Sequence, residues 1–348
     1  MRVALVGMGL IGGSIGLAAR HRLGAHVVAC NRSPAPLQTA LEMGAIDEAV
    51  ASVMDIGETD IAIACVSVDA LPGAVRNLCA ALPRAVVTDV GSTKQALVDS
   101  VEASNFIGGH PLAGAEATGV AHARENLFDG ATWYLTPRAQ SPGVLYERLA
   151  RFVAGVGAVP SAITPDEHDR LMAAVSHLPH VIANLLVAQA TEALGDTLPA
   201  TGPSFRDATR VAGSNPALWA QIYSANRAAL GAEIDDLVRR LGDVRAWLDG
   251  GDLETWQRAA GSQRHALLEV GLGGADGPLR EIRASVPNKP GVVAEIALAL
   301  GRAGINIADM SLTPEADNRT GLIALWVGAA DVARATGLVS ELGYPAAS

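Results

Sequence analysis

The sequence predicts an α/β fold: a doubly wound parallel sheet, then an all-helical domain, then a small α+β unit. Three observations predict it. Short apolar runs alternate with helix-length segments from the first residue, and such alternation implies a parallel sheet covered on both faces. After Thr164 the chain turns Ala- and Leu-rich and helical, with few strand runs, as far as about Leu268. After Gly277 strand-like and helical stretches return in the order β-α-β-β-α.

The elements follow in order. Val3–Val6 is an apolar run ended by Gly7, and His26–Cys30, Asp60–Val66 and Ala85–Asp89 are further runs of strand length. Thr132–Leu135 and Ala158–Ile163 are expected as later strands of the same domain, residues 1–163. Thr164-Pro165-Asp166-Glu167 is a helix start with three agreeing signals. Thr164 can cap, Pro165 suits the first turn and Glu167 completes a capping box. The helical domain is assigned to residues 164–270, and its apolar content implies a surface beyond its own core, hence a homodimer. Residues 271–278, with the run GLGGADG, are expected to form a linker. In residues 279–348, Leu279–Val286, Ile305–Leu312 and Gly321–Val327 are strands, and Gly291–Arg302 and Asp331–Leu342 are helices.

With 348 residues the chain can hold two or three domains with full cores. A net charge of -10 argues against a nucleic-acid partner. It leaves an anionic substrate open, because a local arginine pair can dominate a small cleft. Cys30, Cys65 and Cys79 lack metal-ligand spacing and fit buried, reduced thiols in a cytoplasmic protein, so no metal is expected. The glycine spacing of the first residues does not fit a signal peptide. The apolar stretch Leu171–Ala190 is broken by Ser176, His177, Pro179, His180 and Asn184, a poor membrane span and a better buried helix.

Gly7-Met8-Gly9-Leu10-Ile11-Gly12 follows the first strand and opens a helix, the context a Rossmann-type dinucleotide site requires. Gly7 permits the tight turn, Gly9 lets the backbone approach a pyrophosphate, and Gly12 allows close helix packing. The N–H groups of the helix start, at Leu10 and Ile11, face the phosphates. Ser67, after a later strand, is a further cofactor candidate. At the end of the second strand, where an acidic residue would hold the ribose of NAD, stand Asn31, Arg32 and Ser33. Arg32 and Ser33 suit a 2′-phosphate, so the cofactor is NAD(P), with NADP favoured. The alternative has Arg32 stacked on adenine and Asn31 holding the ribose of NAD.

Several polar groups fall where ligands sit, outside the carboxyl ends of strands. They are Asp89 to Lys94, with Ser92, and a glycine-rich loop with His110 and Glu116. In the helical domain Pro179 is expected to free the Val175 carbonyl and kink the axis, while Ser176 and His180, four apart, share a face. These residues suit either a pocket or a satisfied core cluster. Arg206 and Arg210 are four apart on one expected helix face, with Asp207 beside them. Such a pair suits a dicarboxylate; the alternative is a solvated basic face. Asn215-Pro216 caps the next helix, which presents Trp219.

Taken together, GMGLIGGSIG, DVGSTK, GGHPLAGAE, DEHDRLMAAVSHLPH and FRDATRVAGSNPALW resemble the prephenate/arogenate dehydrogenase family over residues 1 to about 270. The resemblance implies oxidative decarboxylation of prephenate to 4-hydroxyphenylpyruvate, driven by aromatisation, as a step towards tyrosine. It implies His110 as the base, with Ser92 positioning His110 and the hydroxyl. It implies Arg210 as the main carboxylate ligand and Arg206 as an accessory one. His180, Ser176 and Trp219 match pocket positions, and Glu116 a gating one. A β-hydroxyacid dehydrogenase would need a Lys–Asn pair where this chain has Ser176, His177 and His180. An arogenate dehydrogenase and a non-catalytic amino-acid sensor are the remaining alternatives.

Val286 to Ile296 followed by Gly304-Ile305-Asn306-Ile307 resembles an ACT domain. That implies an amino-acid effector, here tyrosine, near Asn288, Pro290, Gly291 and Asn306. Only residues 344–348 remain for the last strand of such a unit. A truncated unit, or one completed by a partner chain, is therefore expected.

Overall fold

The computed structural model describes residues 1–114, 117–194, 201–272, 278–315 and 319–348, the side chains of residues 265 and 268–272 excepted. By internal contacts they form two compact units, residues 1–188 with 211–238 and residues 189–210 with 239–348.

The first unit begins with β1 (Arg2–Val6), α1 (Leu10–Leu23), β2 (His26–Cys30), α2 (Pro34–Glu42), β3 (Glu48–Val50), β4 (Ile61–Ala64), α3 (Leu71–Ala81) and β5 (Val86–Asp89). The strands form an all-parallel sheet in the order β3-β2-β1-β4-β5. Its central strands are apolar without alternation because both faces are covered. One core holds Leu5, Ile15, Phe128 and Trp133, the other Val28, Leu78 and Phe106. The sequence did not reveal β3, a three-residue edge strand too short to show a period.

Next come α4 (Gln95–Ser100), β6 (Gly108–Pro111), β7 (Thr132–Thr136), α5 (Gly143–Gly155) and β8 (Val159–Ala162). These strands form their own sheet, β6-β7-β8, antiparallel then parallel. A single bridge, Val87 to Phe106, links β5 to the approach to β6. His110 therefore sits on a strand, where the sequence indicated a loop. Glycine hides this strand, yet the packing demands it: a Cβ on Gly108 would lie 2.4 Å from Thr136 Oγ1, and one on Gly109 2.6 Å from the Asp89 carbonyl oxygen.

The helices are α6 (Pro165–Met172), α7 (Leu178–Leu194), α8 (Pro203–Thr209), α9 (Pro216–Ala225), α10 (Arg227–Trp247) and α11 (Leu253–Leu272). The Thr164 capping box forms, with Glu167 N donating to Thr164 Oγ1 and Thr164 N to Glu167 Oε2, each at 3.2 Å. Between α6 and α7 lies a π turn, Ala173–His177, in which Leu178 N donates to the Ala173 carbonyl. The irregularity expected at Pro179 thus takes the form of i to i−5 bonding just ahead of it. By length and composition alone the stretch 165–194 could cross a membrane. However, His168, Asp169, His177 and His180 are buried along it, so its inner side is a polar network.

The second unit ends in β9 (Leu279–Pro287), α12 (Val292–Arg302), β10 (Ile307–Pro314), β11 (Thr320–Gly328), α13 (Val332–Glu341) and β12 (Ala346–Ala347). The sheet order is β10-β11-β9-β12, and all pairings are antiparallel. The expected vacancy at the last strand is thus filled by the chain itself, where Ala346 pairs with Ala284. Tyr344, buried just before it, donates its hydroxyl hydrogen to Glu295 Oε2 at 2.6 Å. α11 runs two residues into the expected linker, whose residues 273–277 lie outside the described ones.

Candidate active site

At the carboxyl ends of β1, β2 and β4 a cleft of about 870 Å3 is lined by Gly7, Gly9, Asn31, Arg32, Ser52 and Ser67, among others. The glycines divide their work as expected. Gly7 has φ +99°, and a Cβ there would strike the Cys65 carbonyl oxygen at 2.3 Å. A Cβ on Gly12 would lie 2.3 Å from the Gly7 carbonyl oxygen. A Cβ on Gly9 would meet nothing within 4 Å, so its bare backbone faces open space. No side chain caps α1, which leaves its first N–H groups, from Leu10 and Ile11 onward, for phosphate oxygens. The residues present therefore fit a dinucleotide. Asn31 accepts from Met8 N at 3.1 Å and donates to the Ser33 carbonyl at 2.8 Å, while Arg32 and Ser33 are exposed beside it.

A buried polar network occupies the ends of β5 and β6. The Asp89 carboxylate accepts from Gly109 N at 3.0 Å, from Gly91 N at 2.8 Å and from the Lys94 ammonium. His110, on β6, is 9% exposed. Its Nδ1 lies 2.9 Å from Nε2 of His168, whose Nδ1 lies 2.8 Å from Asp169 Oδ1. Asp169 also accepts from Lys94 N at 2.7 Å and Gln95 N at 2.9 Å. Burial, and then the neighbouring His168, Lys94 and His177, hold His110 well below the usual histidine range. The ring is neutral at physiological pH and can accept a proton.

The hydrogen-bond partner of His110 Nδ1 is His168, and Ser92 is half-buried in the loop after β5. Sequence reasoning missed His168 and Asp169, because Asp166-Glu167-His168-Asp169 has the look of a solvated face. One signal was present: His168 stands four residues before the apolar Met172 and so shares its helix face, which the structure buries.

The π turn and α9 form a second wall. His177 Nδ1 lies 3.1 Å from Asn226 Nδ2, and burial pushes its pKa down to about 4. His180 stacks on Trp219 with ring centres 3.6 Å apart. His180 Nδ1 is bonded to the Tyr223 hydroxyl and to Asn184 Nδ2. Burial lowers His180 too, with a partial offset from the Val211 carbonyl. Ser176 is half-buried within the π turn. There the 3.6-residue period behind its expected shared face with His180 does not hold. Asn215 caps α9, accepting from Ala217 N at 3.0 Å and Leu218 N at 3.2 Å.

Arg206 and Arg210 belong to the second compact unit and are exposed. They do not share one α-helix, since α8 ends at Thr209 and Arg210 opens a 3-10 turn. Arg206 donates to the Thr201 carbonyl at 2.9 Å. Glu116 lies outside the described residues. In the small sheet domain Asn288 N donates to the Arg319 carbonyl at 2.7 Å. Gly291 has φ +96° and starts α12, Pro290 precedes it, and Asn306 is exposed ahead of β10.

A glycine-lined cleft on a parallel sheet, with a neutral buried histidine in the same unit, defines a nicotinamide-dependent dehydrogenase. Comparison with known proteins narrows the class. Residues 15–161 match the prephenate dehydrogenase nucleotide-binding domain, 164–260 the prephenate dehydrogenase dimerization domain and 280–343 the ACT domain. Prephenate dehydrogenase of Bacillus subtilis is 30% identical over 340 residues, 93% of this chain and 91% of that protein. The Aquifex aeolicus prephenate dehydrogenase structure with hydroxyphenyl propionate and NAD+ aligns with a TM-score of 0.72 at 27% identity, covering 77% of this chain and 98% of that one. Synechocystis arogenate dehydrogenase aligns with a TM-score of 0.70 at 30% identity, covering 77% and 100%. The chain belongs to the prephenate dehydrogenase family, carries an ACT domain and is an NAD(P)-dependent oxidoreductase.

Proposed function

We propose that the chain oxidises and decarboxylates prephenate to 4-hydroxyphenylpyruvate. The observation that carries this reading is the neutral, buried His110. The bound nicotinamide supplies the hydride acceptor for the carbinol carbon. His110 accepts the hydroxyl hydrogen bond, and Ser92 lies near that hydroxyl. As the ring carboxylate departs as carbon dioxide, its bonding pair enters the ring. The proton held at His110 returns to the phenolic oxygen. Arg210, assisted by Arg206, binds carboxylate. His180, which accepts at Nδ1 from Asn184 and so carries its proton on Nε2, lines the substrate pocket. Ser176 and Trp219 complete the pocket wall, and Glu116 gates it.

The finer assignments rest on the same residues. Asn31 commits its side chain to Met8 and Ser33, while Arg32 stands exposed, an arrangement suited to the 2′-phosphate of NADP. Asn288, Pro290, Gly291 and Asn306 form the effector site for tyrosine. The chain works as a cytoplasmic homodimer, with Val175, Leu185, Val187 and Leu194 as exposed apolar residues of the 165–194 stretch.

Nicotinamide reduction with purified protein tests this, using prephenate or arogenate with NAD or NADP, with and without tyrosine. Fast reduction with release of 4-hydroxyphenylpyruvate is expected with prephenate and NADP. Reduction with arogenate alone would transfer the assignment to that substrate, which the likeness to the Synechocystis enzyme makes the second reading. No reduction with either would overturn both.

A further inference from the structure

We propose that His168, oriented by Asp169, is a positioning residue that fixes the tautomer of His110 and leaves His110 Nε2 bare to receive the substrate hydroxyl proton. The proposal rests on the function above for the reaction it serves.

Asp169, 4% exposed, takes two backbone N–H groups at the start of α4, from Lys94 and Gln95. Two such donors fix the carboxylate as an acceptor at both oxygens. The proton between Asp169 and His168 therefore belongs to His168 Nδ1. With that proton on Nδ1, His168 accepts at Nε2, and the donor across the 2.9 Å contact is His110 Nδ1. His110 is neutral, so its one proton is on Nδ1 and its Nε2 is unprotonated. His110 Nε2 has no hydrogen bond within the described residues.

Geometry supports a built arrangement. His168 is 0% exposed, and its ring meets those of His110 and Tyr134 edge-on at 5.1 and 5.7 Å. His110 pairs across the sheet with Tyr134. The titratable groups around His110 are His168 and Asp169 of α6, Lys94, Asp89 at the end of β5, His177 of the π turn and Tyr134 of β7. Among these, only His168 is hydrogen-bonded to the His110 ring. A bare Nε2 is what a base needs, and the wrong tautomer would present an N–H to the substrate.

The test compares His168→Gln, which keeps an acceptor within reach of His110, with His168→Leu, which removes it. His168→Leu should lower kcat by at least about 100-fold with KM changed by less than about 3-fold. His168→Gln should recover at least a tenth of the wild-type kcat, and cofactor affinity should hold in both. Equal losses in the two variants, or a His168→Leu kcat within about 3-fold of wild type, would overturn the proposal. If His168→Leu does not fold, the tautomer is read on the wild-type protein by nitrogen NMR with labelled histidine, assigned against His110→Asn. A protonated Nδ1 on His110 is expected, and a bare Nδ1 would overturn the proposal. This reading needs no substrate. Wild-type protein inert towards prephenate but with protonated Nδ1 would fail the proposed function and keep the tautomer assignment.

Discussion

The ammonium of Lys94 is paired with the carboxylate of Asp89, and both side chains are fully buried. Asp89 also holds the backbone of Gly91 and Gly109, so the pair joins the end of β5 to the strand that carries His110. Removing one partner of a buried pair leaves an uncompensated charge and costs about 3–5 kcal/mol. Lys94→Met should lower the denaturant midpoint accordingly, and adding Asp89→Asn should restore part of it. An unchanged midpoint in the single variant would remove the pair from the stability account.

The glycine loop separates folding from binding. Gly9→Ala should keep the wild-type melting temperature, because its Cβ enters open space, yet weaken cofactor binding at least 10-fold. Gly12→Ala places a Cβ 2.3 Å from the Gly7 carbonyl oxygen and should lower both. Thermal melts and dinucleotide titrations check this; equal melting temperatures for the two variants would contradict it.

Acid should destabilise the first unit. His177 is held at about 4 against 6.5 for a free imidazole, so the unfolded chain binds its proton more tightly. The stability from the neutral ring is complete above about pH 6.5 and is lost as pH falls towards about 4. At about 1.4 kcal/mol per pH unit this shift is worth roughly 3 kcal/mol, and His110 shifts in the same direction. Urea midpoints across that window should fall in the wild type and fall less in His177→Gln. Parallel slopes would show that His177 does not drive the loss.

Arg32 should set cofactor choice. A carboxylate there would repel a 2′-phosphate and accept ribose hydroxyls. Arg32→Asp is expected to shift the ratio of kcat/KM for NADP over NAD by at least 10-fold towards NAD. An unmoved ratio would leave Arg32 outside cofactor recognition.

Local chemistry made the legible parts legible. β1, β2 and β4 carry apolar runs of strand length, β5 opens on Val86-Val87, and Thr164 announces its helix with a cap, a proline and a glutamate. His110 stood out for its flanking glycines and proline. What escaped the sequence depends on distant groups. β6 pairs with β7, and it can pack there only as glycine because Thr136 and Asp89 leave no room for a Cβ. His168 acquires a role only when β6 comes within 2.9 Å of it, and a π turn has no residue signature of its own.

That π turn makes the helix one residue longer than a regular ladder between Met172 and Leu178 would need. Deleting one residue from 173–177 would regularise the hydrogen bonds and leave α7 in nearly its present phase relative to α6. The surplus residue is absorbed within the turn itself. A helical wheel drawn through residues 165–194 with a constant period would therefore misplace His180 by one position, about 100° around the axis.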